Sequence, residues 1–333
     1  MKIDAVDTDK KVFIVAEAGN NHEGCFDRAR ELVIKAAEAG ADAIKFQTFV
    51  PDLFVSADNK ERLERLRSFQ LTYSQFELLA QLARDQKICF FSTPLDLQSA
   101  HFLDSIQSLF KIASGDNNFW PLIKTVLSFN KPVIVSTGLS SLDQIDAIYN
   151  FFAGRNQANL LNLLHCVSSY PAPPDQVNLS VIRELQDRYK DVSIGYSDHT
   201  IGTRAAVYAV AAGARIIEKH FTLDKNQSSF RDHQLSADPQ ELKDLVQEIR
   251  QVETLLGRSA KEVQPCETPL ETTARRSIAA AVDIAQGHSL TFKDLMWVRP
   301  GSGFAPGLEE SVVGRLTRRP IPRGQVFTDD DFA

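Results

Sequence analysis

Residues 132–166, PVIVSTGLSSLDQIDAIYNFFAGRNQANLLNLLHC, hold two short apolar runs with an amphipathic stretch between them. PVIVS (132–136) and LLNLLHC (160–166) read as buried strands, and 141–152 carries its apolar residues at helical spacing. A strand, a helix and a second strand in succession form a βα repeat, the building block of a parallel sheet.

The alternation continues outward from this segment, from Val12 to about Gly257. Upstream lie VFIVAEA (12–18), DAIKFQ (42–47), ICFFS (88–92) and LFKIA (109–113); downstream lie VSIGYS (192–197) and RIIEKH (215–220). Helical stretches separate them, among them 26–39, 74–86 and 239–256. Eight such units in roughly 250 residues is the size of a (β/α)₈ TIM barrel, which sets the fold class as α/β. A doubly wound sheet would want a glycine-rich phosphate turn after an early strand, and neither G-x-G-x-x-G nor G-x-x-x-x-G-K-[ST] occurs.

Between Arg258 and Thr273 the pattern breaks into a polar stretch with two prolines, RSAKEVQPCETPLETT, which reads as a linker. The expected organisation is a barrel over 1–258, a linker over 259–273 and a compact, loop-rich domain over 274–333. The chain of 333 residues is 43% hydrophobic and 24% charged, an ordinary globular composition. A net charge of -6 gives no general footprint for nucleic acid, so anion binding has to be local. Four scattered cysteines suggest neither a zinc knuckle nor a disulfide scaffold, and they fit a reducing cytosol. MKIDAVDTDK at the start has no apolar signal core, and no stretch is apolar enough to span a bilayer; the expectation is a soluble cytoplasmic protein without a membrane partner.

In a barrel the reactive groups stand where strands end, and here those ends are polar. They carry Glu17, Lys45 with Gln47, Thr93, Lys111 with Ser114, Ser136, His165 with Ser168, Ser197 with His199, and Lys219 with His220. A single lysine at a strand end is usually a snorkelling side chain. Lys45, Lys111 and Lys219 on one rim, with hydroxyls between them, instead form a site for a small dianion such as phosphate. His199 and His220, from neighbouring strands, can share one divalent cation with positions left open for water or substrate, which suits manganese or a similar borderline metal. Glu17 has two readings at this point, a salt-bridge partner for Lys45 or a catalytic acid/base.

The segments AEAGNNHEG (16–24), GADAIKFQTF (40–49), FKIASGD (110–116), VSTGLSS (135–141), GYSDHT (195–200) and EKHFTLDK (218–225) together resemble the N-acetylneuraminate (sialic acid) synthase family. ARRSIAAAVDIAQGHSLTFKDLMWVRPGSGFAPG (274–307) resembles the antifreeze-like (SAF) domain that ends those enzymes. The resemblance implies condensation of phosphoenolpyruvate with N-acetylmannosamine or a related N-acylated amino hexose, giving a nonulosonic acid and phosphate. It implies Mn²⁺, with Mg²⁺ or Co²⁺ as alternatives, and a domain-swapped homodimer. Lys45, Thr93, Lys111, Ser114, Ser136 and Ser197 match positions that hold phosphoenolpyruvate in the family. His199 and His220 match metal ligands, Glu17 a catalytic carboxylate, Tyr170 and Asp232 residues on the sugar side, and Arg299 an arginine that reaches the partner's sugar. Ser168 stands where the family often has Asn, and Phe230-Arg231 where a Gly-Pro pair is more usual, in a loop that should touch the sugar.

Three other readings are open to the sequence. Within the family the sugar is open between N-acetylmannosamine, its 6-phosphate and a diacetamido-trideoxy hexose, the last of which would make the enzyme a legionaminate- or pseudaminate-type synthase. A synthase of seven- or eight-carbon keto acids would take a phosphorylated aldose, but that calls for a second cationic cluster, which the sequence does not reveal. A non-catalytic carbohydrate-binding protein would have no use for lysines and histidines gathered on one rim.

Overall fold

The structure, a computed structural model, describes residues 2–3 and 6–333, so the MKIDAVDTDK stretch lies partly outside the described residues. The chain forms two compact units, Met1–Gly257 and Arg258–Ala333.

The first unit is a parallel barrel. Its strands are β1 (Phe13–Gly19), β2 (Ala43–Thr48), β3 (Cys89–Pro94), β4 (Phe110–Ile112), β5 (Val133–Ser136), β6 (Leu161–Cys166), β7 (Ser193–Asp198) and β8 (Ile216–His220). They pair in the order β3-β2-β1-β8-β7-β6-β5-β4, so the two strands at the ends of the order are consecutive in the chain. At this seam the Gln107 carboxamide takes the place of a strand: its Oε1 accepts from the Ser92 N–H at 2.7 Å and its Nε2 donates to the Ser92 carbonyl at 3.3 Å.

Eight helices follow the strands: α1 (Phe26–Glu38), α2 (Tyr73–Asp85), α3 (Leu97–Asp104), α4 (Trp120–Ser128), α5 (Leu142–Ala153), α6 (Val181–Arg188), α7 (Arg204–Ala211) and α8 (Pro239–Leu256). Three begin at reciprocal capping boxes, Thr72/Gln75, Ser141/Gln144 and Asp238/Glu241, which fix where α2, α5 and α8 start. An additional helix, Lys60–Phe69, is inserted between β2 and α2. The periodic reading places α1, α2, α5 and α8 within a residue or two but does not find this insertion.

Strand alternation explains how one barrel has both a core and a site. Ile14, Ala16, Ile44, Phe46, Phe90, Phe110, Ile112, Val133, Val135 and Leu163 point outward and pack under the helices. Phe13, Val15, Ala43, Phe91, Leu109, Ile134, Leu164 and Ile216 point inward and fill the lower barrel, with Val6 packed against them. Gly195 belongs to the same inner layer: a Cβ there would stand 2.4 Å from the Ile216 carbonyl oxygen and 2.6 Å from Leu164, so only glycine fits.

The second unit has its own small core of Ile278, Ala280, Ile284, Leu290, Leu295, Val312, Ile321, Phe327 and Phe332. It contains one antiparallel pair, β9 (Ser277–Ala280) with β10 (Leu295–Val298). No helix among the described residues is long and apolar enough to cross a membrane.

Candidate active site

Two residues beyond each residue of the inner apolar layer, the side chain again points inward, now at the C-terminal end of its strand. From Val15, Ala43, Phe91, Leu109, Ile134, Gly195 and Ile216 this step leads to Glu17, Lys45, Thr93, Lys111, Ser136, Ser197 and Glu218. All seven line a cavity of about 770 Å³, together with Gln47, Ser114, Tyr170, His199, His220 and Asp232. An apolar floor therefore supports a polar layer, as expected of a barrel enzyme.

One member of this layer was not anticipated, and one expected member is absent. Lys219 faces outward, where its Nζ donates to Asp198 Oδ2 at 3.0 Å and to the Thr200 carbonyl at 2.6 Å. Its neighbour Glu218 takes the inward position shared with His220. The expectation of three rim lysines is corrected to two lysines and a second carboxylate. His165 also faces away from the cavity, bonded through Nε2 to the Val177 carbonyl at 2.7 Å.

The floor of the site is an ion network removed from water. Lys45 Nζ stands 2.5 Å from Glu17 Oε2 and 3.6 Å from Glu218 Oε2, and Lys111 Nζ stands 3.7 Å from Glu218 Oε1. Lys45 also donates to Thr93 Oγ1 at 3.1 Å, and Ser197 donates to Glu218 Oε1 at 2.8 Å. Burial alone would push both carboxyl groups up, but the two lysines and Ser197 overcome it at Glu218 and hold that group down at about 2. Glu17 goes the other way: burial outweighs Lys45, the Glu218 charge adds to it, and the carboxyl is pushed up to about 7. Burial is the largest influence on Lys111 and lowers its pKa, while at Lys45 the two carboxylates overcome burial and raise it.

The two histidines lie beside this layer with ring centroids 5.4 Å apart. His199 Nδ1 is 2.9 Å from the Val167 carbonyl oxygen, so in the neutral ring a proton there donates to it and Nε2 keeps the lone pair; against burial, Cys166, that carbonyl and Glu218 raise its pKa. Burial, followed by the neighbouring positive groups, holds His220 well below the usual histidine range, so it is neutral and able to ligate. Its Nδ1 is buried without a hydrogen-bond partner. The pair fits a divalent ion with two imidazole ligands. Among the described residues no group of three or more His, Cys, Asp or Glu is gathered so as to hold a metal ion, so the fit rests on the two imidazoles alone.

Ser136 Oγ and Ser168 Oγ are likewise buried without partners. Ser168 does not line the cavity; it lies behind it, where a Cβ on Gly138 would meet Ser168 Oγ at 2.2 Å and Ser114 Oγ at 2.7 Å. Tyr170 stacks on His199 with centroids 4.1 Å apart. Arg299 is exposed in the second unit and is not one of the cavity-lining residues.

The mouth of the cavity is built by the inserted helix and by the β8–α8 connection. Phe54, Arg62, Arg65, Leu66 and Phe69 line one side, and Ser228, Ser229, Phe230, Arg231 and Asp232 line the other. Phe69 and Phe230 meet edge to face at 5.3 Å, and the Arg231 guanidinium lies 4.8 Å from the Tyr170 ring. Glu23 ties the connection down, accepting from Ser228 Oγ and from Gln227 Nε2 at 3.2 Å, with His233 Nε2 at 3.7 Å. Arg62, Arg65 and Arg231 thus line a mouth where the sequence reading had gathered no cations, Arg231 being paired with Asp232 at 3.3 Å.

Residues 32–261 match the NeuB family and residues 275–333 the SAF domain. The chain is 39% identical over 320 residues to the N,N'-diacetyllegionaminic acid synthase of Legionella pneumophila, covering 91% of this chain and 89% of that protein. It is 34% identical over 318 residues to the N-acetylneuraminate-9-phosphate synthase of Homo sapiens, covering 91% and 88%. The crystal structure of the N-acetylneuraminic acid synthetase from Leptospira borgpetersenii in complex with citrate aligns with a TM-score of 0.76 at 35% identity, covering 81% of this chain and 94% of that one. With a family match across most of the barrel and relatives alike over most of their length, the chain belongs to the NeuB family and ends in a SAF domain.

Proposed function

We propose that the protein joins phosphoenolpyruvate to the aldehyde carbon of an N-acylated amino hexose, N-acetylmannosamine or a close relative, releasing a nonulosonic acid and inorganic phosphate. The observation that carries this reading is the buried layer of Lys45, Lys111, Thr93, Ser136 and Ser197 beneath a histidine pair. Two ammonium groups and three hydroxyls at the closed end of a cavity suit a phosphate dianion that must be held while its bond to carbon breaks.

In the proposed reaction C3 of phosphoenolpyruvate bonds to the aldehyde carbon, whose oxygen takes up a proton. Water adds to C2, one of its protons balancing the one taken up by the aldehyde oxygen; the bond between C2 and the bridging oxygen then breaks, phosphate leaves with that oxygen and the remaining hydroxyl proton, and C2 becomes the ketone. Lys45 and Lys111 hold the phosphate oxygens throughout, and Ser136 Oγ gains the partner it lacks. Glu17, with a carboxyl near neutrality, accepts or returns a proton at its Oε2. Tyr170 and Asp232 line the sugar side of the cavity and orient the open-chain aldehyde. A divalent ion, Mn²⁺ first with Mg²⁺ or Co²⁺ as alternatives, would be held by His199 and His220 and supplies Lewis-acid polarisation of the aldehyde oxygen.

A homodimer in which Arg299 of one subunit serves the other's sugar site is part of the proposal, as is a cytoplasmic setting. A second reading, a diacetamido-trideoxy hexose as the sugar, is supported by the relative named N,N'-diacetyllegionaminic acid synthase. The proposal is tested by phosphate release from phosphoenolpyruvate. Release should require both an amino-sugar aldehyde and a divalent ion, stop on chelation and return with Mn²⁺. Full activity of His220→Ala in chelated buffer would contradict the assigned ligands.

A further inference from the structure

Among the cavity side chains whose buried polar atoms lack a hydrogen bond, Glu17, Ser136, His220 and Asp232 already have parts in the proposed reaction; Asn20 has none. Asn20 is 8% exposed, and its Oδ1 is buried without a partner among the described residues. Its place follows from a break in β1. Val15 and Glu17 alternate inward and residue 19 would be next, but the pairing with β2 shifts register between Glu17 and Gly19. Gly19 takes a φ of +51°, and a Cβ there would stand 3.1 Å from Glu17 Oε1 and 3.5 Å from Gln47 Nε2. The irregularity leaves position 19 without a side chain and brings that of Asn20 to the cavity wall.

What Asn20 offers there is set by its neighbours. Gln47 Nε2 donates to Glu17 Oε1 at 3.4 Å, so Gln47 Oε1 is turned to accept from Asn20 Nδ2 at 2.8 Å. The Asn20 amide is thereby fixed with its nitrogen in the relay and its carbonyl oxygen outside it, as an unused acceptor. Leaving such an oxygen buried and unpaired is unfavourable, and a ligand that donates to it relieves the penalty. Lys45, Glu17, Gln47 and Asn20 follow one another as a row of contacts that starts in the buried ion layer. Glu23, three residues on, belongs to the mouth, where it accepts from Ser228 Oγ. Asn20 therefore stands between floor and mouth.

We infer that Asn20 is a specificity residue for the sugar: its Oδ1 accepts a hydrogen bond from a hydroxyl or amide N–H on a middle carbon, C3 or C4, of the open chain. The inference rests on the synthase reading, which sets the aldehyde beside His199 and His220 and the far end of the chain at the mouth. A carbonyl oxygen only accepts, so the substrate class it selects is a sugar with a donor on that carbon, and a deoxy or ether sugar is rejected.

The test is calorimetry of the full-length protein saturated with phosphoenolpyruvate and Mn²⁺. Its probes are the alditol of N-acetylmannosamine, an open chain without the reacting aldehyde, and the same alditol deoxygenated at C3 or at C4. On the wild type one deoxy compound should bind about three- to tenfold more weakly than the parent. N20L, close to asparagine in shape but without polar atoms, should lose the same factor on the parent and show no further loss on that deoxy compound. Affinity for phosphoenolpyruvate should stay within about twofold, and N20A serves as a second variant. Equal wild-type affinity for all three alditols, or no binding of any, overturns the inference. So does an equal loss on all three in N20L, which is what a residue that only holds Gln47 would give. Phosphate release with N-acetylmannosamine is read separately: its absence with this and every other amino sugar sinks the synthase reading, while the coupled loss between Asn20 and one carbon still establishes the contact.

Discussion

Glu17 and Glu218 share Lys45, yet their carboxyl groups move in opposite directions, up to about 7 and down to about 2. Lys111 and Ser197 sit on the Glu218 side, so that carboxylate stays charged and Glu17 becomes the group that changes protonation near neutrality. Two lysines and two ionised carboxylates sum to zero charge; protonating Glu17 leaves the layer cationic, the state a dianion prefers. Bound phosphate should therefore raise the Glu17 pKa further, and binding should draw in a fraction of a proton at neutral pH. By the same linkage, affinity for phosphoenolpyruvate should fall as pH rises through about 7. Titration calorimetry in buffers of different ionisation enthalpy measures the uptake, and Glu17→Gln should abolish it and flatten the pH dependence. The alkaline limb of kcat/KM for phosphoenolpyruvate near the same pH should vanish in that variant.

At the scale of elements, the barrel closes on a side chain, because Gln107 supplies the seam pairing of Ser92. Gln107→Ala would strand a buried N–H and carbonyl, and a loss of about 1–3 kcal/mol is expected, read as a lower urea midpoint. The eight strands were legible because each is a short apolar run, and α2, α5 and α8 because capping boxes mark their starts. The inward layer was only partly legible. Reading EKH by alternation places Glu218 and His220 on one face and Lys219 on the other, but three lysines at strand ends suggested a simpler cationic rim. Of the mouth, only the 228–236 loop was legible, through the resemblance; Arg62 and Arg65 reach the cavity through an inserted helix that the periodic reading did not find, and that helix meets the loop through Phe69 and Phe230, far apart in sequence. Tyr170, Asp232 and Arg299 were found by resemblance alone; the structure puts the first two on the cavity and the third in the other unit.

For the whole molecule, the proposed homodimer makes each active site depend on two chains, one giving the barrel and the other Arg299. Lys111→Met and Arg299→Ala proteins should each be nearly inactive. Reassembled together in equal amounts, they should recover about a quarter of wild-type activity, because half the dimers are mixed and one of their two sites is intact. No recovery from properly mixed dimers would remove Arg299 from the site. The central claim, condensation at C3 with water adding at C2, is tested most directly by following the bridging oxygen. Phosphoenolpyruvate labelled with ¹⁸O between C2 and phosphorus is turned over with metal and sugar, and both products are weighed by mass spectrometry. The account predicts all the label in the released phosphate and a sugar acid whose mass equals phosphoenolpyruvate plus sugar plus water minus phosphate. Label retained in the sugar acid, or phosphate released with no such acid formed, would contradict it.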